Sequence, residues 1–199
     1  QEHTMWEFSE SIRGMNDALS VLKAPVVSGN VSFYNEGEQK RIYPTPVIGM
    51  VGIGETTFVP NKGFQNSGLI CAVIGKTKKE FIRPESIPHL DITLENNTQL
   101  EVRSLVQNNL VSSCQSVDRG GILFALLKSM MVNQIGAHIS SISNDFTPIS
   151  FLMSETNSRF LVTFKKENLA KIKQSLNTIP LQIIGETILN KFSIENILD

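Results

Sequence analysis

Residues 68–75 read Gly-Leu-Ile-Cys-Ala-Val-Ile-Gly, an apolar run between two glycines. A short, continuous apolar run of this kind is typical of a strand that is buried on both faces of a sheet. Predicted helices and strands follow it in mixed order. The helices are expected at 97–109, 121–134 and 167–176, and the strands at 111–117, 137–142, 159–165 and, closing the fold, 181–188. This order predicts a layered α/β (α+β) domain with a mixed sheet.

The sequence also predicts which side chains of two segments are buried. In the helix at 97–109, the spacing of the apolar residues places Leu100, Leu105 and Val106 on the inward face. Cys71 and Cys114 lie in apolar, strand-like surroundings, which favours reduced core residues over a disulfide.

The chain before residue 57 has a different organisation. Apolar residues recur at spacings of three and four from Met5 to Leu22, which predicts an amphipathic helix that must end by Ala24 because Pro25 follows. Two apolar strands are expected after it, one beginning at Val26 and one at 47–51.

A helix and two strands cannot bury an apolar face alone, so residues 1–55 are predicted to be a piece of a larger domain or an edge unit. Residues 57–66 are rich in Gly, Pro, Asn and Lys and predict a linker. The expected domains are therefore 1–55 and 56–199.

Composition narrows the class of protein. Of the 199 residues, 41% are hydrophobic and 19% charged, which is ordinary for a globular protein. The net charge of -1 gives no electrostatic reason for binding nucleic acid or an anionic membrane. No apolar run approaches the roughly 20 residues of a membrane span, and no signal peptide is visible at Gln1, so a cytoplasmic location is expected. The missing initiator Met indicates a processed product or a shortened form of a longer protein.

The first candidate site is Ser28-Gly29-Asn30-Val31-Ser32. A glycine beside a strand end allows a ligand to approach the backbone closely. An Asn carbonyl oxygen is a hard ligand suited to magnesium, and a Ser hydroxyl can bind a phosphate or an amide. The alternative is an ordinary turn, which residues of these types form more often.

Two further loops are candidates. Asp118-Arg119-Gly120-Gly121 precedes a helix, where glycines could expose N–H groups to an anion; the favoured alternative is that Asp118 or a nearby group caps the helix and the glycines permit close packing. Residues 155–159, Glu-Thr-Asn-Ser-Arg, are interpreted as a polar loop with a surface ion pair. The three histidines and two cysteines show no metal-ligand spacing, and no nucleophile–base set is visible.

Taken together, several of these segments resemble a known family. SGNVSFYNE at 28–36 and IYPTPVIGMVG at 42–52 resemble the synthetase subunit of phosphoribosylformylglycinamidine synthase, in the superfamily of aminoimidazole ribonucleotide synthetase. Further similar elements follow in the same order as in that family, at 88–91, 120–121, 154–160 and 179–186. The resemblance covers the whole chain and corresponds to the C-terminal third of the family's sequence.

The resemblance implies a fold and a domain arrangement. The family contains two similar halves, each with a chorismate-mutase-like domain followed by a three-layer α/β/α domain. Residues 1–55 would be the end of the second chorismate-mutase-like domain, and 56–199 the final α/β/α domain.

The resemblance also implies an activity. The family converts formylglycinamide ribonucleotide, ATP and glutamine-derived ammonia to formylglycinamidine ribonucleotide, ADP and phosphate in purine biosynthesis. Gly29 matches a position that contacts ATP, Asn30 a magnesium ligand, and Ser32 a substrate contact. The family's catalytic His lies in the first half, so no catalytic residue is expected in this chain and the fragment is expected to be inactive alone.

Partners and alternatives follow from the same comparison. The family works with a separate glutaminase and a small auxiliary subunit, and an exposed apolar face on residues 1–55 would favour a homodimer. The alternative function is a non-catalytic nucleotide-binding or dimerisation module of the same superfamily. One run departs from the family pattern: Gln115, Ser116 and Arg119 replace a His and two acidic residues, so no ligand is assigned to it.

Overall fold

The computed structural model describes residues 2–32, 37, 44–54, 59–81, 83, 86–142 and 145–195. Its chain divides into two compact units, Gln1–Glu55 and Thr56–Asp199, here called unit 1 and unit 2. In the described ranges no helix has both the length and the apolar character needed to cross a lipid bilayer.

Unit 1 contains one long helix, α1 (Glu2–Leu22), and the helix predicted from the apolar spacing is confirmed. It ends where expected: Lys23 takes a left-handed conformation with φ of 52° and the Ala24 N–H donates to Leu19 O, directly before Pro25. No residue of α1 is buried. The prediction that this segment cannot bury its own apolar face is therefore confirmed.

The strand predicted at 47–51 is absent from the structure, since the described residues 44–54 form neither helix nor strand. The physical reason is that strand hydrogen bonds require a neighbouring strand, and Pro44 and Pro46 also lack an N–H to donate. The strand expected to begin at Val26 is not formed over 26–32, and its remainder, 33–36, lies outside the described residues.

Unit 2 is built on a six-stranded sheet in the order β2-β4-β1-β5-β3-β6. Only the β3–β6 pair is parallel, so the predicted mixed sheet is confirmed. The strands are β1 (Ile70–Ile74), β2 (Ser113–Ser116), β3 (Ile135–Ile139), β4 (Phe160–Phe164), β5 (Leu181–Leu189) and β6 (Phe192–Ile194).

Helices cover both faces of the sheet. They are α2 (Ile92–Gln107), α3 (Gly121–Asn133), α4 (Pro148–Met153) and α5 (Leu169–Ser175), the last preceded by a 3-10 turn at Lys166–Asn168. Along β1, Cys71 and Val73 face a core that includes α3 and α4, whereas Ala72 and Ile74 face a second core that includes α2 and α5. The α/β class and the three-layer arrangement are thus confirmed, and the run at 68–75 forms the strand that both cores share.

Several boundaries differ from the prediction for identifiable reasons. α2 begins five residues earlier than expected, because the Asp91 carboxylate accepts the N–H groups of Thr93 and Leu94 and caps the helix. Its inward face carries Val102 and Leu105 but not Leu100, which is 53% exposed.

Two elements were not predicted. They are the six-residue helix α4 and the three-residue strand β6, which shows that β5 does not close the fold. Both are too short to produce a periodic pattern. The predicted linker is also too long: Asn61 pairs with Ser113 in an isolated bridge and Phe64 is fully buried, so the end of 57–66 belongs to unit 2.

Candidate functional site

The loop at 28–32 is exposed along its whole length and belongs to neither a helix nor a strand. A Cβ atom added to Gly29 would meet nothing within 4 Å. Asn30 and Ser32, which follow Gly29 in the same loop, are both exposed. Gly29, Asn30 and Ser32 therefore present an open backbone, an amide oxygen and a hydroxyl to solvent.

A second polar site lies at one edge of the sheet in unit 2. β1 and β2 end at this edge and β4 begins there, because β4 is antiparallel to both. This arrangement brings together two loops that the sequence treats separately: the Gly120 N–H donates to Glu155 Oε1 over 2.8 Å. The run before α3 and the run before β4 thus form one polar cluster.

Arg159 is the centre of this cluster and is only 1% exposed. Its guanidinium donates to Ser154 O, Thr156 O and Thr77 Oγ1 at 2.7, 2.9 and 3.1 Å. Burial lowers the pKa of Arg159 to about 10, and the negative charge of Glu80 opposes that shift. The prediction of a surface loop with a surface ion pair at 155–159 is therefore wrong, because the fold surrounds the arginine with carbonyl and hydroxyl acceptors.

The loop at 154–158 is held against residues 77–80 by hydrogen bonds between residues that lie far apart in the sequence. The Lys78 N–H donates to Thr156 Oγ1 over 3.0 Å, and the Glu155 N–H donates to Glu80 O over 2.8 Å. The Ser154 hydroxyl donates to Lys78 O. Together with the Arg159 hydrogen bonds, these contacts fix the loop at 154–158 relative to residues 77–80.

Backbone conformation supports the same conclusion. Ser158 is buried with φ of 60°, and Gly75 has φ of 105°. A Cβ atom at Gly75 would collide with Ser158 O. Left-handed conformations of non-glycine residues are uncommon and persist where the surroundings enforce them.

At the start of α3, the predicted close packing at the glycines is confirmed, and Asp118 is excluded from the two capping alternatives. A Cβ atom at Gly121 would collide with the carbonyl oxygens of Leu152 and Ser154, so the glycines do permit close packing. Asp118, however, does not cap the helix with its side chain; its Oδ1 instead accepts from Lys128 Nζ over 3.3 Å. The nearby group that accepts an N–H there is the Glu155 carboxylate.

The two cysteines behave as predicted. Both are free thiols. Burial raises the pKa of Cys71 to about 12 and that of Cys114 to about 11. Over the described ranges, no cluster of three or more His, Cys, Asp or Glu side chains could hold a metal ion.

Comparisons with known proteins agree with this architecture. Residues 1–54 match the family described as "AIR synthase related protein, N-terminal domain". The phosphoribosylformylglycinamidine synthase subunit PurL of Alkaliphilus metalliredigens is 35% identical over 207 residues, which cover 96% of this chain and 28% of that protein.

Two solved structures of PurL from Thermotoga maritima share the fold. The complex with FGAR has a TM-score of 0.59 at 17% identity and covers 70% of this chain and 28% of that chain. The complex with ATP has a TM-score of 0.60 at 18% identity and covers 71% of this chain and 26% of that chain.

These matches define the class first: residues 1–54 are similar to the N-terminal domain of AIR synthase-related proteins, and the fold is shared with PurL. Over 96% of its length, the chain is similar to the phosphoribosylformylglycinamidine synthase subunit PurL. It spans about 28% of the length of the curated relative that it matches.

Proposed function

We propose that this chain is part of an ATP-dependent ligase that converts formylglycinamide ribonucleotide, ATP and glutamine-derived ammonia to formylglycinamidine ribonucleotide, ADP and phosphate. The observation that carries the proposal is 35% identity to a PurL subunit over 96% of the chain. ATP activates the amide oxygen of the substrate by phosphoryl transfer, and ammonia then attacks the amide carbon. Catalysis of such a step depends on positioning and on stabilising charge.

The proposed ligand contacts lie at 28–32 in unit 1. Gly29 would contact ATP, Asn30 would ligate magnesium, and Ser32 would contact the substrate. The geometry fits: no atom lies within 4 Å of the space beside Gly29, and residues 28–32 are exposed. An Asn oxygen is a suitable magnesium ligand when phosphates and water supply the others. When bound, magnesium would offset the charge that develops on the phosphates.

The proposed domains follow the same division. Residues 1–55 would be the end of a chorismate-mutase-like N domain, which the family match over 1–54 supports. Residues 56–199 would be the synthetase-type C-terminal α/β domain, which the three-layer packing of unit 2 supports. Formation of the amidine requires groups outside the chain, so the 199-residue chain alone would be inactive.

Other parts of the proposal concern the surroundings of the chain. The parent enzyme would act in the cytoplasm with a glutaminase and a small auxiliary subunit that deliver ammonia. The apolar side chains of α1, including Trp6 with 61% exposure, would be covered by the rest of the parent. In the isolated chain, the same surface favours a homodimer.

An assay of amidine formation tests the proposal. The full-length parent protein, supplied with ATP, magnesium, ammonia and formylglycinamide ribonucleotide, is expected to release ADP and the amidine in equal amounts. The 199-residue chain, in the same assay, is expected to release neither. Absence of product from the full-length protein would overturn the assigned reaction, and turnover by the 199-residue chain would overturn its dependence on the missing part.

A further inference from the structure

A small recess opens at the polar edge of the sheet in unit 2, and it is separate from the loop at 28–32. It has a volume of about 80 Å3. Its lining includes Gly75 and Lys76 after β1, Leu94 of α2, and the apolar residues Ile179 and Pro180 before β5. We call it the edge recess.

The wall of the edge recess is fixed before any ligand arrives. Asn157 and Ser158 line it, and Ser158 is buried in a left-handed conformation. Asn157 Nδ2 donates to Pro88 O and His89 O at 3.3 and 3.2 Å, which ties this wall to the chain leading into α2. Behind the wall, Arg159 fixes the loop through its three hydrogen bonds. Sites that are pre-organised in this way lose little free energy in ordering when they bind.

The charges around the edge recess favour an anion. Lys76 and Lys78 line it, and both are exposed. The one carboxylate in its lining is Asp91, whose Oδ1 already accepts two backbone N–H groups of α2 at 3.0 and 2.9 Å. Glu80 lies 4.0 Å from the Lys78 ammonium, a partly solvated contact of the kind worth about 0–1 kcal/mol.

We propose that the edge recess binds a small oxyanion group, either a phosphoryl or a carboxylate group. Lys76 and Lys78 would contact its charge, and Ile179 and Pro180 would contact any short apolar part next to it. A volume of about 80 Å3 is well below the roughly 300–1,000 Å3 of sites for drug-sized ligands, so one such group fits and a whole nucleotide does not. The proposal does not depend on the ligase activity, because all the residues involved lie in unit 2.

Titration of the 15N-labelled 199-residue chain with inorganic phosphate tests the proposal by amide chemical shifts. Ionic strength is held constant with sodium chloride. The expected result is a saturating shift of the amides at 75–78, 89–94 and 156–158, with a Kd on the order of 1 mM. A parallel titration with propionate separates a carboxylate ligand from a phosphoryl ligand.

A pair of variants provides the control. Lys76→Gln with Lys78→Gln is expected to weaken binding by about tenfold or more, since it removes both charges. The control variant, Lys165→Gln with Lys166→Gln, removes two exposed lysines that follow β4. It is a matched control because Lys165 lies 3.9 Å from Glu167, much as Lys78 lies 4.0 Å from Glu80. This control is expected to bind like the unchanged chain.

Three outcomes would overturn the proposal. They are no saturating shift with either anion, shifts of the same size around 165–166 as around 75–78, and equal binding by the two double variants. The spectra of the variants also report whether each one is folded.

Discussion

Unit 1 and unit 2 differ in the burial of their polar and apolar groups. In unit 2, the polar residues around Arg159 are buried and hydrogen-bonded, and two apolar cores enclose a shared sheet. In unit 1, the helix α1 buries no residue and the loop at 28–32 is exposed. The difference shows that unit 2 is stabilised by its own buried contacts, whereas α1 leaves its apolar face uncovered.

The largest expected difference in stability is between a variant that loses a buried charge, Arg159→Met, and a variant that loses an exposed charge, Arg13→Met. Arg159→Met leaves the carbonyls of Ser154 and Thr156 without their donor and removes a buried positive charge that interacts with Glu80, so the unfolding free energy should fall by about 3–5 kcal/mol. Arg13→Met removes only the exposed pair with Glu10 on α1 and should cost about 0.5 kcal/mol or less. Urea denaturation followed by far-ultraviolet circular dichroism measures both. Equal midpoints for the two variants would contradict the contrast between the units.

A pair of glycines provides the next comparison. Gly75→Ala forces a side chain into a left-handed position against Ser158 O and should destabilise unit 2 by about 2 kcal/mol. Gly29→Ala meets open space and should change stability by less than about 0.5 kcal/mol. Thermal unfolding of both variants checks this. A stable Gly75→Ala variant would show that the loop at 154–158 is less constrained than its hydrogen bonds indicate.

A smaller effect is expected at the start of α3. Glu155→Gln keeps the shape of the side chain but replaces the charged acceptor of the Gly120 N–H with a neutral one, which should cost about 1 kcal/mol. Asp118→Asn alters an exposed pair with Lys128 and should cost about 0.5 kcal/mol or less. The two urea midpoints decide which carboxylate supports the helix. A larger loss for Asp118→Asn would restore the capping role predicted from the sequence.

The last expected effect is confined to alkaline pH and concerns the two thiols. The folded pKa values of Cys71 and Cys114, about 12 and about 11, lie above the ordinary thiol value of 9.0. Each protonated thiol therefore favours the folded state fully below pH 9, and this contribution is lost as the pH rises through the folded pKa. The Cys71→Ala, Cys114→Ala double variant should lose less unfolding free energy than the unchanged chain between pH 9 and pH 11. An equal fall in the unfolding free energy of the two proteins over this pH range would contradict the raised pKa values of the two thiols.

The sequence was sufficient for elements with long periodic patterns. The apolar spacing along α1 predicted a helix because it matches the helical repeat, and the apolar runs at 68–75 and in α3 predicted a buried strand and a helix. It was not sufficient for Arg159, whose acceptors come from two loops that only the fold brings together. The contact between Glu155 and Gly120 likewise depends on β2 lying next to β4, which local pattern does not specify.

Local sequence pattern does not predict the proposed ligand contacts at 28–32. Residue types alone left an ordinary turn as the alternative, and the assignment of Gly29, Asn30 and Ser32 came from resemblance to the family. The structure adds that this loop is open and exposed, and the roles of the three residues stay predictions.

The most direct test is the activity of the full-length parent protein with Asn30→Ala and Ser32→Ala combined. Both side chains are exposed, so folding should be unaffected while kcat/KM for amidine formation falls by about 100-fold or more. Activity equal to that of the unchanged parent would contradict the account, because it would show that the open loop of unit 1 is not part of the ligand site.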